Sequence, residues 1–391
     1  MQPISLPYLV EPAKATGPSP AMGGYRPELD AVRFIAFLLV FFRHLIPEIN
    51  VPKDAAAAAV PEVVRLIDAI RGVCGMGLCL FFALSAYLIT DLLLAERRVQ
   101  GTVSVRRFYI RRVLRIWPLY FFGISIGVAW ALAFHQSSDL IGFAWFLLFA
   151  GNFYCGAFGW MNNPMSPLWS ISVEEQFYLI WPWAMRWLNR RGLFLCALGF
   201  IAAANAALFY LGQHHVNADP TIWASSPVQF QMFAAGILLA LADRYWGQSS
   251  PVLGFLLPLS APWMWFIACY WLHAIEGNAS SGIASMGAYA LIALGCAAVL
   301  RGFCILGPTR IWKWTASLGK ISFGLYVYHV LALTAAEALF QRLHVRGIMV
   351  LLAAPLALLL TIGLATLSYR WLETPFLRLK RRFETLHTRP I

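Results

Sequence analysis

Residues 29–45 read LDAVRFIAFLLVFFRHL, and the placement of charge in this stretch decides the fold. A helix needs about 20 mainly apolar residues to cross the hydrocarbon of a bilayer. Here the run between Arg33 and Arg43 holds nothing but apolar side chains. The polar residues gather at its two ends: Asp30 and Arg33 at one, Arg43 and His44 at the other. A helix on the surface of a soluble protein would instead spread its polar residues along one face. The segment therefore reads as a membrane span.

Working outward, runs of the same kind recur as far as residue 372 with only short polar breaks. The chain has 391 residues, 60% of them hydrophobic, 15% aromatic and 12% charged, with a mean hydropathy of +0.66. Soluble domains carry about twice that charged fraction. A transmembrane barrel would show strands of about ten residues with every second one polar, and that alternation is absent. The expected fold is an all-α polytopic membrane protein, a bundle of ten transmembrane helices near 29–46, 73–94, 113–134, 173–189, 193–213, 227–244, 252–273, 284–303, 318–340 and 347–372. The apolar stretch 140–156 is the ambiguous one. With ten crossings and the N-terminus inside, 21 Lys and Arg residues fall on the cytoplasmic side and 5 on the outer side, as the positive-inside rule requires; an eleventh crossing reverses the excess. Segment 140–156 is therefore expected to be re-entrant or interfacial, covered by protein or facing a cavity.

Residues 1–24, rich in proline and without a signal-peptide pattern, read as a disordered cytoplasmic tail, residues 25–377 as the membrane domain, and 378–391 as a basic cytoplasmic tail. The seven cysteines form no metal-ligand spacing and read as buried thiols, so no metal is expected. The net charge of +12 comes with no nucleic-acid motif.

Ionisable residues inside a span are costly and mark functional candidates. Arg33 and His44 are eleven positions apart, within about 20° of the same helix face and about 16 Å apart along the axis. That geometry suits a long ligand with an anionic group at Arg33 and a reactive group at His44. Arg33 equally suits an ion pair with Asp30, and His44 an inert interfacial histidine. In RRFYIRRVLRIWPLY (106–120), Arg111, Arg112 and Arg115 with Trp117 suit phosphates and an adenine ring, or else a topogenic basic loop. In SPLWSISVEEQFYLIWPW (166–183), Ser172 and Glu175 match a helix-start capping box, while Ser170 and Glu174 face one way; Glu174 is placed to orient a histidine. Ser85 in FFALSAYLIT (81–90), and Tyr326 and His329 in LGKISFGLYVYHV (318–330), read as cavity-lining residues or as hydrogen-bonding glue between helices.

Taken in order, these segments resemble the membrane-bound acyltransferase 3 family, which includes bacterial polysaccharide O-acetyltransferases and macrolide acyltransferases. The resemblance is carried by Arg33 and His44, FFALSAYLI, Arg112 and Arg115, LWSISVEEQFYLIWP, LGKISFGLYVYH and the closing ETPF at 373–376, in the family's order from about residue 25 to 377. Ala86 departs from it, standing where a glycine usually follows the serine. The resemblance implies a multi-pass protein of the bacterial plasma membrane with both termini cytoplasmic. It implies acyl-CoA, usually acetyl-CoA, as co-substrate, and a hydroxyl-bearing glycan or small molecule as acceptor. It further implies that Arg33 and His44 are needed for activity. With the resemblance added to the reading of the residues, His44 is expected to be the general base, with Glu174 and Arg33 as further catalytic candidates. Arg111, Arg112, Arg115 and Trp117 hold the donor, and Ser85, Ser170, Glu175, Tyr326 and His329 line the cavity. Acylation of a small lipophilic metabolite such as a macrolide is an alternative acceptor chemistry. A transporter or flippase is the alternative class, weakened by the lack of an internal repeat.

Overall fold

The computed structural model describes residues 25–46, 62–214, 218–243, 249–274, 281–307, 312–344 and 352–384. The tail expected over 1–24, the end of the basic tail, and the topology markers Lys14, Lys53, Arg244, Arg310, Arg346 and Arg389 lie outside the described residues. Within them the fold is helical, with no strand: α1 (Pro27–Leu45), α2 (Glu62–Gln100), α3 (Val105–Ala133), α4 (Ser137–Leu147), α5 (Gly151–Phe158), α6 (Trp169–Trp187), α7 (Arg190–Gln213), α8 (Ser226–Ala242), α9 (Pro251–Tyr270), α10 (Gly282–Leu306), α11 (Trp312–Lys320), α12 (Ser322–Arg342), α13 (Ala353–Ser368) and α14 (Thr374–Lys380).

Local chemistry starts these helices where the chain leaves the polar breaks. Pro27 opens α1, with Glu28 and Asp30 in its first turn and Arg43 and His44 in its last, the arrangement that complements the helix dipole. Side chains cap α3, α7 and α10: Ser104 accepts from the Arg107 amide at 3.4 Å, Asn189 from Gly192 at 2.8 Å, and Ser281 from Ala284 at 3.1 Å.

Seven helical segments among the described residues are long and apolar enough to cross a membrane: α2, α3, α7, α9, α10, α12 and the run from Ala353 to Phe383. The other three predicted spans also fall on helices, but on shorter or more charged ones. Helix α8 has 17 residues, α1 carries Glu28, Asp30, Arg33 and Arg43, and α6 carries Glu174, Glu175 and Arg186. Segment 140–156 is not one helix. It lies on α4 and α5, of 11 and 8 residues, joined by a break at 148–150. At about 1.5 Å per residue neither reaches across a core of roughly 30 Å.

Burial separates the helices into an inner and an outer set. The apolar stretch of α2 is 67% buried, whereas those of α7, α9 and the last span are 22–28% buried. These outer helices turn Leu195, Leu259, Trp263 and Leu359 outward, each more than 60% exposed. Apolar faces of that extent belong against lipid tails. The helix carrying Arg33 and His44 lies inside this ring. Gly77 of α2 meets the Ala36 carbonyl and the Leu39 Cβ of α1, and Gly319 of α11 meets the Asp30 carbonyl, so a Cβ at either site would collide with backbone. Such small residues are what let membrane helices pack backbone to backbone. On the same helix Val32, Ala36, Phe37 and Phe41 are buried, which fixes its rotation and hence where Arg33 and His44 point.

Candidate active site

At the Arg33 end, residues of α1, α2, α3, α6, α12 and α14 enclose a cavity of about 200 Å³. Five cationic side chains line it, Arg26, Arg33, Arg112, Arg115 and Lys380, against the carboxylates of Asp30, Asp91 and Glu174. Arg33 donates to Asp30, whose own exposure is 1%, so the ion pair and the cavity position occur together. Arg26 donates to Glu28 at 2.9 Å and to the Tyr87 hydroxyl at 2.5 Å, and Tyr87 passes its hydrogen to Asp243 at 3.0 Å. The Arg112 guanidinium lies over the rings of Tyr178 and Phe108, 5.0 and 5.4 Å from their centroids. Beside it, the hydroxyls of Ser85 and Tyr178 both donate to one oxygen of Glu174. Ser170, one turn earlier on α6, lines the same cavity. Lys380, paired with Glu384 at 2.9 Å, reaches the cavity from α14. Sequence reasoning assigned Arg26 and Lys380 to topology and did not single out Asp91; nothing in their local spacing marks them as site residues.

At the His44 end a second cavity of about 510 Å³ opens. His44 presents its ring to this space, with Arg43 and Arg71 nearby. Arg43 donates to Asp219 at 3.4 Å. Four tryptophans, Trp130, Trp160, Trp169 and Trp223, share the walls with Asn162 and Asn163, and the rings of Trp160 and Trp169 lie 5.5 Å apart. Behind His44, away from the opening, sits His329, fully buried, with ring centroids 5.0 Å apart.

Leu78 and Tyr326 line both cavities. The Tyr326 hydroxyl is 2.6 Å from Ser170 Oγ and donates to the Pro167 carbonyl at 2.9 Å; Ser170 donates to the same carbonyl at 3.1 Å. The sequence reading expects one channel from the arginines to His44. The structure has two chambers along α1, which share Leu78 and Tyr326 as walls.

Several other expectations are corrected by position. Arg111 does not line the cavity: it pairs with Glu96 at 2.8 Å and donates to the Phe383 carbonyl at 3.0 Å, with 6% and 0% exposure for the two residues. Neighbouring residues on a helix point about 100° apart, so only Arg112 and Arg115, three apart, share the inward face. Trp117 donates to Glu175 at 3.4 Å and packs against Phe121 and Phe149, which leaves neither Trp117 nor Glu175 on a cavity wall. Ser172 and Glu175 are not a capping box. The turn at Ser166–Leu168 runs straight into α6, which starts at Trp169, and the buried Ser172 hydroxyl accepts from the Gly151 amide at 3.2 Å. That early start carries Glu174 into the Arg33 chamber, so its partners are Ser85 and Tyr178 and not His44. No group of three or more His, Cys, Asp or Glu among the described residues is arranged to hold a metal ion.

No solved structure matches the chain. Among curated proteins, it is 26% identical to the peptidoglycan O-acetyltransferase OatA of Listeria monocytogenes over 77% of this chain and 51% of that protein. It is also 26% identical to YrhL of Bacillus subtilis, whose name carries the same peptidoglycan O-acetyltransferase assignment, over 77% of this chain and 50% of that protein. The chain spans about half the length of these relatives. The acyltransferase domain of the acyltransferase 3 family matches residues 26–370, which takes in every residue of both chambers except Tyr25 and Lys380. The chain belongs to the acyltransferase 3 family of membrane acyltransferases.

Proposed function

We propose that the protein moves an acetyl group from acetyl-CoA, bound at the Arg33 chamber on the cytoplasmic side of the plasma membrane, to a hydroxyl of a glycan in the His44 chamber on the outer side. One observation carries this reading: two chambers of different lining, one rich in cations and one walled by tryptophans, meet at Leu78 and Tyr326. The Arg33 chamber suits the phosphates of the donor, because guanidiniums bind phosphate oxygens in pairs and the cavity has more cationic than acidic side chains. The basic side of the positive-inside count gives its orientation. The His44 chamber suits a sugar. Tryptophan faces pack against the apolar faces of sugar rings, and Asn162, Asn163 and Asp219 supply hydrogen-bonding groups for hydroxyls. The names of the relatives point to the same acceptor class, peptidoglycan.

In this reading the bare nitrogen of His44 takes the proton of the acceptor hydroxyl as the oxygen attacks the thioester carbonyl. The carbon–sulfur bond breaks, the acyl group stays on the acceptor oxygen, and the departing thiolate recovers the proton from the imidazolium. For the thioester to reach His44, Tyr326 must swing away from Ser170 and Pro167, a side-chain rotation that gives up its hydrogen bond to the Pro167 carbonyl. Phosphates held by the arginines keep the donor anchored while its arm extends past Tyr326.

The test is His44→Ala in cells that express the full chain, with alkali-released acetate from surface glycans measured by mass spectrometry. Removing a general base costs roughly 10²–10⁴-fold in rate, so acetate falls to the level of cells without the protein while the variant remains in the membrane fraction. Unchanged acetate would overturn the assignment of His44.

A further inference from the structure

His329 lies on α12 one turn past Tyr326, between Phe37 and His44, with no surface exposed. Its Nδ1 is 2.5 Å from the carbonyl oxygen of Tyr326. A carbonyl only accepts, so Nδ1 holds the hydrogen and the neutral ring presents Nε2 as a bare lone pair. Among the described residues Nε2 has no hydrogen-bond partner. Buried polar atoms rarely stay in that condition, because the lost hydration is not recovered. The His44 ring, centred 5.0 Å away, lies on the wall of the second cavity. At that separation facing ring nitrogens come within reach of each other, directly or through one water. The carboxylate expected to orient His44, Glu174, is held in the other chamber by Ser85 and Tyr178.

We propose that His329 is the positioning residue for His44: its bare Nε2 accepts the hydrogen of the near nitrogen of His44, so that the far nitrogen faces the acceptor chamber without a proton. This deepens the reading of His44 as the base. A base needs a third group to fix its tautomer and ring orientation, and the backbone of Tyr326 fixes the tautomer of His329 in turn. When the far nitrogen takes the acceptor's proton, the near N–H stays on His44 and its hydrogen bond to His329 strengthens with the positive charge. No proton passes to His329, and the one gained by His44 leaves with the thiolate. The arrangement also ties the base to the wall between the chambers, since the residue whose carbonyl holds His329 is one that lines both of them.

The test needs neither donor nor acceptor. In the full chain in lipid nanodiscs, diethyl pyrocarbonate reacts with a bare imidazole nitrogen, and mass spectrometry of the peptide carrying His44 gives the rate. Loss of the acceptor in His329→Leu removes a roughly tenfold preference for the tautomer whose far nitrogen is bare, so the reactive fraction falls from about nine-tenths to about half and modification of His44 slows about twofold. His329→Gln, whose amide oxygen stands where Nε2 stood, keeps the rate of the original chain. His329→Asn, too short to present an acceptor at that point, behaves as His329→Leu does and replaces it if the leucine variant does not fold. Equal rates in all variants, or a glutamine variant as slow as the asparagine one, would overturn the pairing and leave the enzymatic reading intact. Acetate retained in His44→Ala would overturn the enzymatic reading while the reactivity of His44 toward the reagent still reports on the pairing.

Discussion

The two chambers stacked along α1 are built on different principles. At the Arg33 end, charge is set against charge: Arg33 on Asp30, Arg26 on Glu28, Lys380 on Glu384, and two hydroxyls on Glu174. At the His44 end four indole rings form much of the wall, and His329 behind the base has a ring nitrogen without a hydrogen-bond partner among the described residues. In the proposed reading a site of the first kind suits a polyanion, because its donors are already held in place and little entropy is lost on binding. The second kind is prepared for a ligand with apolar faces and hydroxyl edges, and it leaves chemistry for the ligand to complete. The difference shows how one helix can contribute to two separate cavities. Its polar ends enter separate chambers while the apolar middle, from Phe34 to Phe42, is held by its neighbours.

This contrast can be broken or sharpened by substitution, beginning with the largest effect. Arg111 marks the edge of the Arg33 chamber. If it is structural, Arg111→Ala leaves Glu96 buried without its cation, a loss of about 3–5 kcal/mol. Thermal unfolding in detergent would fall by several degrees or more, with the KM for acetyl-CoA unchanged in the protein that remains folded; a raised KM with normal stability would move Arg111 back among the donor-binding residues. Its neighbour Arg112 predicts the opposite pattern. Arg112→Gln removes a charged hydrogen-bond donor worth about 1.5 kcal/mol, so the KM for acetyl-CoA rises roughly tenfold. Steady-state assays in membranes should show no change in the KM for peptidoglycan fragments used as acceptor. The smallest effect is expected at Trp160, which is 40% exposed and so is not needed for packing. Trp160→Ala removes one aromatic face, about 1 kcal/mol. It should raise the acceptor KM about fivefold and leave the donor KM alone, and equal changes in both constants would mean that the chambers are not separate sites.

Much of this arrangement is legible before any coordinates. The shared face of Arg33 and His44 follows from helix geometry, and the inward pair Arg112 and Arg115 from their spacing of three. Ser85, Ser170 and Tyr326 reach the cavities as their position in apolar helices suggests. The misreadings share a cause. Arg111, Trp117 and Glu175 each sit one or two positions from a true lining residue, and in a helix that small step turns a side chain to another face. Ser172 and Glu175 fit a local pattern for a helix start, but the turn at 166–168 begins the helix earlier and overrides it. Lys380 and Arg26 looked like topology markers, since the charge that orients a chain is the same charge that binds phosphate.

The sequence by itself determined that the chain is helical and membrane-embedded, that its charges gather at helix ends, and which residue types are available to hold an anion and to move a proton. These follow from composition and period, which need only neighbours along the chain. Only the tertiary structure decided that two chambers share Leu78 and Tyr326 as walls, that Glu174 pairs with Ser85 and Tyr178 and not with the histidine, and that His44 has His329 behind it. Each of these depends on distances between helices far apart in sequence, set by close backbone contacts such as Gly77 on Ala36 and Gly319 on Asp30, and the periodicity of no single helix contains them.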